Sequence, residues 1–243
     1  MTYCVGLRLD RGLVFAADTR TNAGLDNIAT FKKLRVFEKK GDRVIVVLSA
    51  GNLAITQAVI SLLEEKIREQ ANERPTIMTV DTMFQVARLV GEAVREVRDI
   101  DGDALTASSE SFSVSMILGG QIGNERPRLF QIYSAGNFIE ASDDTPFFQI
   151  GEHKYGKPIL DRVTRADMSL GDAAKLVLIS FDSTLRSNLS VGMPIDLLLY
   201  NTDTLEVLRQ TRIEQDDPYF HRLSTGWSDA LRDAFSKMEP FDV

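Results

Sequence analysis

Cysteine is almost missing from this 243-residue chain, which has a single one, Cys4. A lone thiol closes no internal disulfide, so a reducing compartment is expected. Histidine is nearly as scarce. His153 and His221 stand far apart and, with one cysteine, make no zinc set. Ser-His-Asp catalysis is equally poorly served, because no Gly-x-Ser-x-Gly elbow is present. There is no basic excess: 28 Lys+Arg face 35 Asp+Glu, a formal net charge of −7. Nucleic acid is therefore not expected as a partner, since phosphate binding needs a basic stripe. No apolar run approaches the roughly 18 residues of a membrane span. The opening Met1-Thr2-Tyr3-Cys4-Val5-Gly6-Leu7 lacks the basic region, apolar core and cleavage site of a signal peptide. A cytoplasmic protein with no membrane partner, metal or cofactor is the expectation. The segment Gly151 to Lys157 imitates a phosphate-binding loop, but Pro158 stands where Ser or Thr must hold magnesium.

What is present alternates between two periods. Thr2–Leu9 and Leu13–Ala17 read as strands joined by the hairpin chemistry of Asp10-Arg11-Gly12. Leu34–Phe37 and Val44–Leu48 repeat the pattern, and the unbroken β-branched run of the latter predicts a strand covered on both faces. From Asn52 the spacing turns helical, with Leu53, Ile55, Val59, Ile60, Leu62, Leu63 and Ile67 recurring on one side. A second helix is expected from Pro75 to about Ile100, ended by Asp101-Gly102-Asp103. Strands follow at Ser113–Leu118, Arg128–Tyr133, Phe138–Ala141 and Phe147–Ile150, with a loop from Gly119-Gly120 to Pro127. Helical spacing returns at Tyr155–Val163 and Ser169–Leu185, strands at Ile195–Tyr200 and Leu205–Gln210, and a last helix at about 217–237. Single strands do not alternate with single helices, so a doubly wound parallel sheet fits poorly. Two antiparallel sheets packed together and covered by helix layers fit well. With no linker or repeat in sight, residues 1–243 are expected to form one α+β domain, a four-layer αββα sandwich.

The chemistry starts at Thr2, directly after Met1. Methionine is removed when the next side chain is small, and a terminal threonine then carries its own base. Its α-amine titrates near 7.7–8.0, so a free-base fraction exists at neutral pH and can accept the hydroxyl proton through a water. Ala16-Ala17-Asp18-Thr19-Arg20 closes the second strand and Phe31-Lys32-Lys33-Leu34 opens the third. With these residues the chain resembles the proteasome β-subunit family of N-terminal-nucleophile hydrolases, and most of all its bacterial ancestral-β (Anbu) group. The resemblance implies a nucleophile at Thr2, a cation at Lys33 favouring the alkoxide, and Asp18 orienting Lys33. It also implies a supporting cluster, in which Ser190 fits the family's serine. Glu152 replaces another serine there, and Ser187 stands where an aspartate is usual. The oxyanion-binding glycine has no plain counterpart in Val47-Leu48-Ser49-Ala50-Gly51, which leaves Ser49 and Gly51 as supporting candidates. These departures imply a weak or specialised activity.

The function implied is a threonine-type peptidase or amidohydrolase on peptide or amide bonds, with an acyl-enzyme on Thr2. The alternatives are amide-bond transfer from the same acyl-enzyme, or a non-catalytic scaffold. A large homo-oligomer, ring or open spiral, is expected. Met78, Met83, Phe84, Phe220, Trp227 and Phe235 supply apolar surface of the kind interfaces use.

Overall fold

The structure, a computed structural model, describes residues 2–22, 28–69 and 74–242. Two five-stranded antiparallel sheets form its centre. The first has the order β10-β1-β2-β11-β12, from β1 (Tyr3–Leu9), β2 (Gly12–Asp18), β10 (Phe147–Gly151), β11 (Ile195–Asn201) and β12 (Val207–Ile213). The second runs β5-β6-β7-β8-β9, from β5 (Leu34–Lys39), β6 (Arg43–Gly51), β7 (Val114–Ile122), β8 (Arg128–Ile132) and β9 (Phe138–Glu140). A small hairpin, β3 (Arg20–Asn22) with β4 (Ile28–Thr30), precedes the second sheet.

Three apolar clusters mark the boundaries between layers. Period-two alternation sends Cys4, Leu13, Phe15 and Ala17 of the first sheet against Leu34, Val44, Val46 and Leu48 of the second. The opposite face of the first sheet carries Tyr3, Val5, Val14 and Ala16. It packs on Leu160 of α3 (Lys157–Val163), on Val177 and Phe181 of α4 (Leu170–Ser187), and on Phe220 of α5 (Pro218–Ser236). The outer face of the second sheet, including Ile45, Val47, Met116 and Phe130, is covered by α1 (Leu53–Arg68) and α2 (Met83–Ala107). The architecture is thus the αββα sandwich expected. A buried strand such as β6 holds an unbroken apolar run because it meets a layer on each face.

Four expectations are corrected. The second helix starts at Met83 rather than Pro75, because Thr82 and Gln85 form a reciprocal capping box there. The preceding turn is held from outside: the Arg43 guanidinium donates to the carbonyls of Ile77 (3.3 Å) and Val80 (2.8 Å). That helix also runs through Asp101-Gly102-Asp103 to Ala107. It stops where Ser109 turns left-handed and the Glu110 N–H reaches the Leu105 carbonyl at 2.9 Å. The expected loop at Gly119-Gly120 is strand β7, paired with Val46 and Ile45 of β6. Gly119 is there for space, since a Cβ would lie 2.7 Å from the Phe15 ring. Finally, Met83 and Phe220 are core residues, whereas Phe84 and Phe235 are exposed. Among the described residues no helix is long and apolar enough to cross a membrane. Nor, among them, do three metal-ligating side chains converge.

Candidate active site

Thr2 sits at the head of β1, where alternation gives it the same face as Cys4, toward the second sheet. Its backbone is clamped on both sides. Its carbonyl accepts the Glu152 N–H at 2.6 Å, and the next amide, Tyr3 N–H, donates to Asp18 Oδ1 at 3.0 Å. Gly151 makes the first clamp possible. Its φ of +80° is left-handed, and a Cβ there would stand 1.9 Å from the Thr2 carbonyl oxygen.

Asp18 ends β2 and is fully buried. Besides Tyr3, Oδ1 accepts from Lys33 Nζ at 2.7 Å, and Oδ2 accepts from the Gly192 N–H at 3.3 Å. Burial pushes the Asp18 carboxyl above the ordinary carboxylate range, opposed by the Lys33 ammonium and the two amides. Lys33, itself only 5% exposed, spends a second N–H on the Arg20 carbonyl at 2.6 Å. Fixing an ammonium by one carboxylate and one carbonyl leaves a third proton for a further acceptor. Asp18 and Lys33 therefore meet as a buried pair, and Thr2 and Lys33 line one pocket of about 210 Å³.

The supporting candidates separate. Glu152 is buried and follows the edge of β10. Its Oε1 accepts the Lys154 N–H at 2.8 Å, and Oε2 accepts Asn188 Nδ2 at 2.9 Å. Asn188 Oδ1 in turn accepts the Ser190 N–H at 2.9 Å. Asn188, not among the residues singled out from the sequence, thus ties Glu152 to Ser190. Its signal was its place between two serines, and only the fold brings it to Glu152. Ser190 is half-buried, two residues from the Gly192 amide that holds Asp18. Ser187 lies exposed at the last residue of α4, with no side-chain hydrogen bond among the described residues.

Ser49 and Gly51 both line the Thr2 pocket. The Ser49 N–H is spent on the Lys33 carbonyl at 3.1 Å, and its carbonyl accepts from the Cys4 thiol at 3.7 Å. Burial pushes that thiol far above its ordinary value, so Cys4 packs as an inert apolar group. The Asn52 N–H donates to the carbonyl of Ser113, the residue before β7, at 2.8 Å. By strand alternation Gly51 N–H then points the other way, to the side where β5 has not yet begun. Met1 lies outside the described residues.

Residues 2–198 match the family described as "Proteasome subunit". A proteasome subunit beta of Haloquadratum walsbyi is 24% identical over 215 residues, covering 88% of this chain and 79% of that protein. Likeness among solved structures is stronger. The Anbu (Gly-1) mutant from Hyphomicrobium sp. strain MC1 is 64% identical, with TM-score 0.93 and 100% of each chain covered. Anbu (ancestral beta-subunit) from Yersinia bercovieri is 49% identical with TM-score 0.92, covering 99% of each chain. The helical assembly of the Anbu complex from Pseudomonas aeruginosa is 47% identical, with TM-score 0.93 over 99% of this chain and 98% of that one. With four-fifths of its length matched and the sandwich in place, the chain belongs to the proteasome subunit family, where its likeness lies with the Anbu, or ancestral-β, proteins.

Proposed function

We propose that this chain is a threonine-type N-terminal-nucleophile hydrolase of peptide or amide bonds, acting once Met1 has been removed. The observation that carries the reading is the buried Asp18–Lys33 pair, held at 2.7 Å beside the strand end that presents Thr2 to a pocket. A buried ion pair is a poor stabiliser compared with apolar side chains of similar volume, so its presence calls for a use. Here the use is chemical. Thr2 Oγ attacks the substrate carbonyl carbon, and its proton passes through water to the free α-amine. The third N–H of Lys33 stabilises charge on Oγ as the proton leaves. The carbonyl oxygen, gaining charge, is received by the Gly51 N–H, the amide left unpaired by strand alternation. Collapse breaks the C–N bond, and the α-ammonium returns the proton to the leaving amine. Water then cleaves the ester by the same route and restores the Thr2 hydroxyl.

Copies of the chain assemble into a homo-oligomer. The support is the apolar surface left at Leu231, Phe235, Met238 and Phe241, together with likeness to a relative described as a helical assembly. A single cysteine and the likeness to proteasome subunits support a cytoplasmic site of action.

The test is labelling by a peptide epoxyketone, which captures hydroxyl and amine of a terminal threonine together. Intact-mass analysis first establishes whether the chain begins at Thr2. Processed wild type is expected to gain the adduct mass and Thr2→Ala is not. Labelling that survives in Thr2→Ala sinks the assignment, and native protein that keeps Met1 leaves the non-catalytic scaffold as the reading.

A further inference from the structure

The pocket that holds Thr2 has a floor and a rim of different character. Apart from Thr2 and Lys33, its buried lining, Ala50, Thr56 and Ile60, is apolar or hydroxylic. With Lys32, Gln57, Ser61 and Thr21 also around it, the lining gives a long aliphatic or aromatic side chain no continuous apolar wall. The rim carries charge. Lys32 and Arg35 are exposed on it, and among the described residues neither forms an ion pair. Glu64 of α1 is the one carboxylate on the same rim. Lys33 is neutralised by Asp18, so two cations face one anion across the mouth.

We infer that this pocket selects an acidic side chain, glutamate above all, on the acyl side of the bond cleaved. The inference rests on the catalytic reading of Thr2. The two methylenes of a glutamyl side chain lie over Ala50 and Ile60. Its carboxylate then reaches Arg35 and Lys32, which present donors free for charge-assisted hydrogen bonds. A basic side chain meets two like charges at the rim, which discriminates by repulsion as well as by attraction. A leucyl side chain leaves both rim cations without a new partner and gains only the small apolar floor.

The experiment uses the full-length protein with Thr2 confirmed as its first residue by intact mass. Three peptide epoxyketones differ only in the residue beside the electrophile: glutamate, leucine or arginine. A fourth carries glutamine, which separates carboxylate recognition from simple length. The glutamyl probe is expected to react about tenfold faster than the leucyl or glutaminyl one, the scale of one charge-assisted hydrogen bond. In Arg35→Gln the ratio of glutamyl to leucyl rates should fall to near one, and in Lys32→Glu/Arg35→Glu the arginyl probe should lead. Because the readout is a ratio, loss of folded protein cancels. Faster labelling by the leucyl or arginyl probe in wild type overturns the specificity while leaving the nucleophile intact. Labelling by none of the four overturns the catalytic reading and this inference with it.

Discussion

Lys33→Met tests the buried pair most directly. The substitution leaves Asp18 with only two amide donors, Tyr3 at 3.0 Å and Gly192 at 3.3 Å, in a site with no water exposure. Removing one partner of a buried pair costs about 3–5 kcal/mol when the other stays ionised. Asp18 has an escape, because it can take up a proton. From its ordinary value of 3.8, protonation at pH 7 costs about 4 kcal/mol at most, at about 1.36 kcal/mol per pH unit. The two figures agree, so a loss of about 3–4 kcal/mol is expected at neutral pH. The sign of its pH dependence follows. With the ammonium gone, burial raises the folded-state pKa of Asp18 further, so the folded variant holds a proton that the unfolded chain releases above 3.8. Its stability is greatest below that value and falls as pH rises through the folded pKa. Urea unfolding at fixed protein concentration should therefore show a deficit smaller by about 2 kcal/mol at pH 5 than at pH 7.5. Asp18→Asn in the Lys33→Met background should flatten the difference. A deficit that does not change with pH, or no deficit at pH 7.5, refutes the argument. Epoxyketone labelling should fall about a hundredfold in the same variant, the scale of losing one transition-state donor.

Three further expectations rest on separate contacts. Gly151→Ala forces a Cβ to within 1.9 Å of the Thr2 carbonyl at a left-handed φ, so it should cost about 2–4 kcal/mol in thermal unfolding and abolish labelling. Asn188→Asp should lower the melting temperature more than Asn188→Ala at pH 7.5, since it replaces a donor by a second carboxylate 2.9 Å from Glu152 Oε2, and equal melts would refute the bridge. Hydrogen bonding from Arg128 holds the Glu140 carboxyl below its ordinary value of 4.5. The stability this gives is complete above 4.5 and is lost as pH falls through the depressed value, so Glu140→Gln should flatten the acid limb of a stability–pH curve.

Much of the layer order was legible in the chain because burial leaves a periodic trace. The unbroken run at Val44–Leu48 reports a layer on each face and the helical spacing at Leu53–Ile67 a layer on one, and these traces survive without knowing the partner. Glycine and proline proved weaker guides. Gly119-Gly120 reads as a turn but lies in a central strand, because the requirement there is room for Phe15, a residue more than a hundred positions earlier. Pro75 reads as a helix start, yet the cap is Thr82, and the turn between them depends on a guanidinium from β6. The hairpin β3–β4 left no signal because three-residue strands hold too few side chains to show a period. The same division runs through the candidate site. A terminal threonine, a strand-end aspartate and a lysine before a strand can be picked out in order, since the chemistry of each belongs to its own side chain. That Asp18 touches Lys33, and that Asn188 bridges Glu152 and Ser190, depends on how the end of β2 meets the start of β5 and how the loop after β10 meets the one after α4. Side-chain type is local and is written in the sequence, whereas distance between side chains is set by the packing of the sheets.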